Sequence, residues 1–457
     1  IALILENSFE FIIAYYAVAK AGAISVPLNI ELTDDYILSI LNNCQVSAII
    51  CSSNRTKFSK KILAKIPSCK FLIAHAEKVE DWPFSLPEIF ANLSPDFKPP
   101  QLIDLDLASI IYTSGSTSQP RGVVLSHLNL VQNGRSIVTY LKLSSSSRIL
   151  VILPFFYIYG LSLLNTHFLV GGTVVLENQI LFPNVIIQTL KNSQADGFAG
   201  VPATYALLLN RSTFRQDKFP DLRYITQAGG PMAPTIIQEL IQLLPGKQIF
   251  IMYGATEASA RLAYLDPEYL QTKLGSVGKA IPNVELKIVN DQGEICKPGE
   301  IGEIVARGSN IMQGYWQAPE ETARVLKNDG FHTSDLARLD SDGFIYIVGR
   351  TNDMIKSGAH RMSALEIEAV LMQSPEVHEV AVIGVPDPLL GEAIRAFIVP
   401  RNNDNKDIIL HLKQFCDTKL PKMKIPRYFD LVKELPKNSS GKIMKEVLRQ
   451  KFREKSE

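Results

Sequence analysis

Cysteine is scarce and scattered. The five thiols (Cys44, Cys51, Cys69, Cys296 and Cys416) are odd in number and lack the close paired spacings of a zinc site. They read as free thiols of a reducing cytosol, so a cytoplasmic location is expected. Excess charge of either sign is also missing. Basic and acidic residues number 47 and 46, for a formal net charge of +1. Such a balance gives no reason to expect nucleic acid or an anionic membrane as the main partner. Long hydrophobic runs are absent too: the most apolar, Leu150 to Leu164, is interrupted by Pro154 and too short to span a bilayer. It reads as buried core. No basic segment followed by an apolar stretch opens the chain, so no signal peptide is visible. The chain starts at Ile1 inside IALIL, which looks like a buried strand without a lead-in, so a preceding N-terminal segment is expected. There is no internal repeat and no low-complexity tract.

What is present is the profile of a globular enzyme, 46% hydrophobic and 20% charged, and 457 residues are too many for one ordinary core. Strand-like runs such as SAIICSS (47–53), ASIIYTS (108–114), TVVLE (173–177), GFAGVP (197–202) and QIFIMYG (248–254) alternate with helical stretches such as FEFIIAYYAVAKAG and PTIIQELIQLLPG. This alternation predicts an α/β fold with largely parallel sheets covered by helices. From about Gly275 the pattern turns to short β segments with glycine turns, as in EIGEIVARG and DGFIYIVGR. Beyond Arg350, Ser363 and Glu366 form a capping-box pattern opening the helix ALEIEAVLMQ. The strands HEVAVIGV and EAIRAFIVP and the helix DIILHLKQFC follow. The remainder is enough for a small α+β domain of its own. The expected division is a large N-terminal domain over 1–351, with parallel-type sheets and a small β-rich part, and a C-terminal domain over 352–457.

The segment YTSGSTSQPRG (112–122) follows a strand and offers backbone N–H groups and hydroxyls suited to a nucleotide's phosphates. It is not a Walker A loop, because Gly115 is not followed five and six residues on by Gly-Lys. A P-loop kinase or ATPase is therefore disfavoured. The segment resembles the signature loop of the adenylate-forming superfamily, which includes acyl-CoA synthetases, peptide-synthetase adenylation domains and firefly luciferase. That loop generally runs Thr-Ser-Gly-(Ser/Thr)-Thr-Gly-x-Pro-Lys-Gly. Here Ser118 replaces a glycine and Arg121 the lysine; Arg keeps the charge but not the geometry of an ammonium.

The resemblance covers essentially the whole chain, with the motifs in the family's order, and it implies the site. Thr113, Ser114, Gly115, Ser116 and Thr117 would hold phosphates, with Arg121 on the leaving pyrophosphate. AGGPM (228–232) resembles the loop that packs on adenine through Gly229, Gly230 and Pro231 and borders the acyl pocket with Ala228 and Gly229. MYGATEAS (252–259) resembles the next motif, in which Tyr253, Gly254 and Ala255 meet the nucleotide and Thr256 the α-phosphate region. Glu257 would help hold Mg²⁺, a hard cation that prefers carboxylate and phosphate oxygens. LPFFYIYGLS (153–162) resembles the acyl-pocket motif, where many acyl- and aryl-CoA ligases carry a His gate; Tyr157 stands there, with Gly160 behind it. Amino-acid-activating members use an Asp in this region, and no acidic residue lies between Ile149 and Val175, so an amino-acid substrate is disfavoured. LPKNSSGKIMK (435–445) matches the C-terminal motif and puts Lys442 on the catalytic lysine that bridges carboxylate and α-phosphate. GRTNDMIKSGAHRMSALEIE (349–368) resembles the hinge region, with Asn352 where the family usually has Asp or Lys.

One pairing follows from geometry alone. A two-residue turn centred on Asp342-Gly343 predicts a hairpin that sets Asp335 opposite Arg350 on one face. In the family these two residues meet the ribose. The resemblance implies ATP-dependent conversion of a carboxylic acid to acyl-AMP, then transfer to a thiol, most simply CoA, with the small domain rotating about the hinge between steps. The cofactors expected are ATP, Mg²⁺ and CoA. The alternatives are an acyl-AMP ligase that loads the phosphopantetheine of an acyl carrier protein, or a non-catalytic member.

Overall fold

In a computed structural model of the chain, the described residues are 1–52, 65–75, 84–94, 96–113, 121–357, 360–402, 407–437 and 443–453. The chain opens with β1 (Ala2–Ile4), β2 (Val26–Pro27), β3 (Ala48–Ser52), β4 (Phe71–His75) and β5 (Phe84–Ser85), a parallel sheet in the order β2-β1-β3-β4-β5. Every residue of β1 and β3 is buried, as the apolar run AIIC leading to Ser52 requires of a sheet covered on both faces. Between β1 and β2 the helix Phe9–Lys20 begins where the Ser8 hydroxyl accepts from the Phe11 amide, with Glu10 in its first turn.

Two strands then pair antiparallel, β6 (Leu107–Thr113) and β7 (Arg121–Ser126), with Thr113 opposite Arg121. The phosphate-loop sequence therefore turns back into a strand. No helix N-terminus follows it, unlike a Walker loop.

The largest sheet holds β8 (Arg148–Val151), β9 (Thr173–Leu176), β10 (Gly197–Gly200), β11 (Tyr224–Gln227), β12 (Gln248–Tyr253), β13 (Ala263–Leu265) and β14 (Lys279–Ala280), ordered β14-β13-β12-β11-β10-β8-β9. From β9 to β12 it is parallel; β13 and β14 add antiparallel at one edge. Crossover helices connect the parallel strands, and those at Pro183–Asn192, Pro202–Arg211 and Pro234–Leu243 each have proline in the first turn, where its missing N–H costs nothing. Leu150 to Leu164, too short for a membrane span, becomes the end of β8 and the first half of the buried helix Ile158–Leu169. Among the described residues no helix is long and apolar enough to cross a membrane.

A β-rich part follows, as the glycine-turn pattern predicts. It consists of β15 (Val284–Val289), β16 (Ile301–Gly308), β17 (Gly314–Tyr315), β18 (Leu326–Lys327), β19 (Gly330–Leu339) and β20 (Ile345–Arg350). β17 leaves the others to pair with β7, tying this part to the phosphate-loop hairpin. Beyond Arg350 come β21 (Met354–Ser357), β22 (His360–Ser363), β23 (Val377–Asp387), β24 (Gly391–Pro400) and β25 (Tyr428–Leu431), in one sheet. Helices Ala364–Leu371, Ile408–Lys419 and Lys445–Arg453 accompany it. The apolar clusters of this last part draw only on residues from Ile355 onward, and the other clusters only on residues up to Ile347.

The capping box forms by half. Ser363 Oγ accepts from the Glu366 amide at 3.2 Å, but the Glu366 carboxylate turns to Lys424 Nζ at 2.6 Å instead of reaching back.

Candidate active site

In an open parallel sheet, ligands gather beyond the carboxyl ends of the strands. Four segments singled out in the sequence leave the largest sheet at that end. Leu153–Tyr157 follows β8, Val201–Pro202 follows β10, Ala228–Pro231 follows β11 and Gly254–Glu257 follows β12.

Two of these loops need glycine for steric reasons. Gly229 adopts φ +88°, a left-handed conformation, and the Gly230 carbonyl accepts from Gln227 Nε2 at 2.7 Å. At Gly254 a Cβ would lie 2.0 Å from the Ala260 carbonyl oxygen, so a residue without a side chain is needed for the chain to fold back there. After Gly254 comes a single 3-10 turn, Thr256–Ala258, capped by Ala255 without a side-chain bond. Thr256 and Glu257 are thus not serving as helix caps. Glu257 accepts from Tyr315 Oη at 2.8 Å, and its own carbonyl accepts from the Met312 amide. Burial, and then the Glu257 carboxylate, push the Tyr315 hydroxyl far above its usual range, so it remains a proton donor to Glu257.

Asp335 and Arg350 do face one another. Arg350 Nε donates to Asp335 Oδ1 at 2.8 Å, and Tyr253 Oη, at the end of β12, donates to Asp335 Oδ2 at 2.6 Å. This carboxylate joins the β-rich part to the carboxyl end of the large sheet. Asp335 is 8% exposed at its side chain while Arg350 keeps 52%, so the guanidinium stays open to a solvent-side ligand. Proximity of Asp335 raises the Arg350 pKa, and burial, followed by the Asp335 charge, raises that of Tyr253.

The pairing was predicted correctly from a turn whose centre is slightly misplaced. Near the turn Leu339 pairs with Ile345, a register centred on Asp342 itself, and Asp340 closes the turn by accepting from the Phe344 amide. A bulge between Leu336 and Ala337 on β19 and Gly349 and Ile347 on β20 then restores the register that brings Asp335 to Arg350.

Arg121 lies with Nε 2.7 Å from Glu321 Oε2 and with its guanidinium 5.9 Å from the centre of the Tyr315 ring. The N–H does not point along the line to Glu321, so the contact is an ion pair rather than an aligned hydrogen bond. Arg121, Tyr315 and Glu257 thereby form one connected group. Its charge is not committed wholly to the phosphate loop. Arg121→Ala is expected to raise the apparent KM for ATP more than that for the acid, by about tenfold or less for a partly exposed charge. Steady-state kinetics with each substrate varied will check it, and an unchanged ATP constant would assign the charge to Glu321 alone.

Some expected residues fall elsewhere. Ser114, Gly115, Ser116 and Thr117 lie outside the described residues, as do Ser118 and the lysine Lys442. Thr113, the loop's first residue, is at the end of β6. The backbone of Asn352 sits in the 3-10 turn Thr351–Asp353 that links β20 to β21. Tyr157 caps the helix Ile158–Leu169 and packs its ring 4.5 Å from that of Phe156. At Gly160 a Cβ would stand 2.2 Å from the Pro154 carbonyl oxygen, so its small size serves the close approach of helix and strand end.

Several supporting residues were not anticipated. Glu303 accepts from the Ser334 amide at 2.8 Å, and its other oxygen lies 2.8 Å from His332 Nδ1. Ser334 is held at φ +59°, a strained conformation for serine, directly before Asp335. Arg449 pairs with Asp353 at 2.5 Å and Lys445 with Glu368 at 2.8 Å, which fastens the last helix beside the 3-10 turn. Burial pushes the Asp353 carboxyl up, but Lys445 and Arg449 prevail and hold it below its usual range. Only the charge of these residues was visible beforehand; their partners are distant in sequence. Among the described residues no group of three or more His, Cys, Asp or Glu side chains could by itself enclose a metal ion. A single carboxylate such as Glu257 suits Mg²⁺ that takes its other ligands from phosphates and water.

Residues 1–316 match the family described as AMP-binding enzyme, and residues 366–442 match the AMP-binding enzyme C-terminal domain. The chain is 30% identical to an oxalate–CoA ligase of Arabidopsis thaliana, over 100% of this chain and 88% of that protein. Its fold superposes on that of an anthranilate CoA ligase in complex with anthranoyl-AMP, with a TM-score of 0.90 and 25% identity, covering 99% of this chain and 87% of the other. An o-succinylbenzoate CoA synthetase from Bacillus subtilis, in complex with ATP and magnesium ion, matches with a TM-score of 0.85 and 27% identity over 99% and 88%.

Proposed function

The chain belongs to the family of AMP-binding enzymes, and from that premise we infer that it activates a carboxylic acid as acyl-AMP with release of pyrophosphate, then transfers the acyl group to CoA. The observation that carries this reading furthest is the Tyr253–Asp335–Arg350 group beside the Thr256–Glu257 turn, at the carboxyl end of the large sheet. A ribose bound there would donate hydrogen bonds from its hydroxyls to the Asp335 carboxylate, with Arg350 screening the charge. The α-phosphate would then come to the Thr256 turn. Carboxylate and triphosphate are both anions, so the chain must chiefly position them and neutralise their repulsion. Arg121 would oppose charge on the departing pyrophosphate and Lys442 that between the reacting oxygens. Mg²⁺, when bound near Glu257, supplies electrostatic stabilisation of the phosphate oxygens.

We also propose that the last part of the chain, from Asn352 onward, moves as a unit about that residue between the two steps. The separate apolar clusters on either side support this. A cytosolic setting is supported by the five cysteines, all of them free thiols.

The test is acid-dependent exchange of labelled pyrophosphate into ATP, scored over a panel of carboxylic and amino acids. Exchange is expected with non-amino acids; a panel in which amino acids lead would overturn that part of the reading. CoA-dependent release of AMP with no carrier protein added is expected as well. Release only in the presence of an acyl carrier protein would instead make that protein the acceptor.

A further inference from the structure

Among the described residues Arg261 is the one buried lysine or arginine, at 2% exposure. The groups its guanidinium bonds or stacks on are neutral. The guanidinium carbon lies 4.0 Å from the centre of the Tyr159 ring, Nε donates to Met252 Sδ at 3.3 Å, and an Nη donates to the Ala260 carbonyl at 3.1 Å. The Tyr140 hydroxyl, which donates to the same sulfur at 3.1 Å, lies beside it. No carboxylate among the described residues forms an ion pair with Arg261. A thioether and an aromatic face are poor partners for a guanidinium with five donors. A buried cation without an anion is among the least favourable placements a fold can hold.

The backbone enforces this placement. Ser259 and Ala260 stand at φ +54° and +112°, and the second is a conformation that residues with a side chain rarely adopt. Asn133 and Asn310 both donate to the Arg261 carbonyl, at 3.0 and 2.9 Å, and Ser259 Oγ donates to the Asn310 carbonyl at 2.8 Å. The strain and these bonds together aim Arg261 inward, four residues beyond Glu257 in the loop leaving β12. Its ring partner, Tyr159, is two residues beyond Tyr157 and fixed by a bond to Thr226 Oγ1 at 2.9 Å on β11. Asn133, Ile158, Ser162 and Ser259 line a small cavity against the same segment. The buried charge thus lies between the large sheet and its covering helices, behind the turn where the acid would be activated.

We propose that Arg261 receives a second carboxylate at the far end of the acid, so that the substrate is a dicarboxylic acid activated at one end and anchored at the other. This rests on the adenylating function inferred above and adds the substrate class to it. A bound dicarboxylate would give the guanidinium the anion it lacks, whereas its monoester, neutral at the far end, would leave the guanidinium unpaired.

The experiment compares succinic, glutaric and adipic acids with their monomethyl esters in pyrophosphate exchange by the intact protein. At least one diacid is expected to exceed its monoester about thirtyfold in kcat/KM, the loss expected when one partner of a buried charge pair is removed. In Arg261→Met the preference should collapse to near parity. Its melting temperature should be unchanged or higher, because an apolar side chain of similar length relieves the buried charge. A merely structural arginine would lower it. Monoesters or simple monocarboxylic acids performing as well as every diacid with the intact protein would overturn the proposal and leave adenylation standing. So would a diacid preference that survives Arg261→Met. If the variant does not fold, the comparison with the intact protein still decides. Absence of exchange with any acid would overturn the adenylating function itself, a different failure from the loss of diacid preference.

Discussion

Lys442→Ala is expected to lose acid-dependent pyrophosphate exchange by about a hundred- to a thousandfold while still converting synthetic acyl-adenylate to thioester. The loss corresponds to roughly 3–4 kcal/mol of transition-state stabilisation, typical of removing one charge that acts only on developing anionic oxygens. The fold should survive. Lys442 lies outside the described residues, but Lys437 and Ile443 bridge its segment, and the following helix is held by Lys445 to Glu368 and Arg449 to Asp353. In the rotation proposed above, the thiol step has the small domain turned away, with Lys442 off the centre. Two assays on one purified protein decide: pyrophosphate exchange, and CoA-dependent AMP release from added acyl-adenylate. Equal loss in both with an unchanged melting temperature would remove Lys442 from the first step.

Asp335→Ala should weaken ATP and AMP binding alike, by about a hundredfold each. Two charge-assisted hydrogen bonds to a ribose are at stake, at about 1.5 kcal/mol or more apiece. The substitution also frees Tyr253 Oη, which donates to Asp335 at 2.6 Å, and Arg350, which the solvent reaches. Dissociation constants measured by titration calorimetry will check this. A fall in ATP affinity with AMP affinity intact would place Asp335 on the triphosphate side and not on the sugar.

The parts of this fold legible in the sequence are those fixed by local patterning. Unbroken apolar runs such as AIIC mark strands buried on both faces, and β3 and β12 lie where such runs predict them. Proline at the start of Pro202–Arg211 and Pro234–Leu243 marks the strand-to-helix change. The pairing of Asp335 with Arg350 was legible through its turn, but the register carries a bulge that no alternation of residues announces. The capping pattern at Ser363 gave the helix start correctly and the fate of Glu366 incorrectly, because Lys424 offers its carboxylate a charged partner from 58 residues away. Similarly, Tyr315 reaches Glu257 across 58 residues and Arg449 reaches Asp353 across 96. Such contacts depend on how elements stack, and a single sequence does not encode that as a periodicity. Arg261 illustrates the same limit from the other side: in sequence it is one charge among many, and only burial makes it exceptional.

The central claim is that the acid's own oxygen attacks the α-phosphorus of ATP. The most direct measurement uses an acid labelled with ¹⁸O in the carboxyl group that is activated, followed by mass spectrometry of the nucleotide released on thioester formation. The expected result is AMP carrying one ¹⁸O atom, with unlabelled pyrophosphate. Unlabelled AMP, or ADP accompanied by labelled inorganic phosphate, would contradict it.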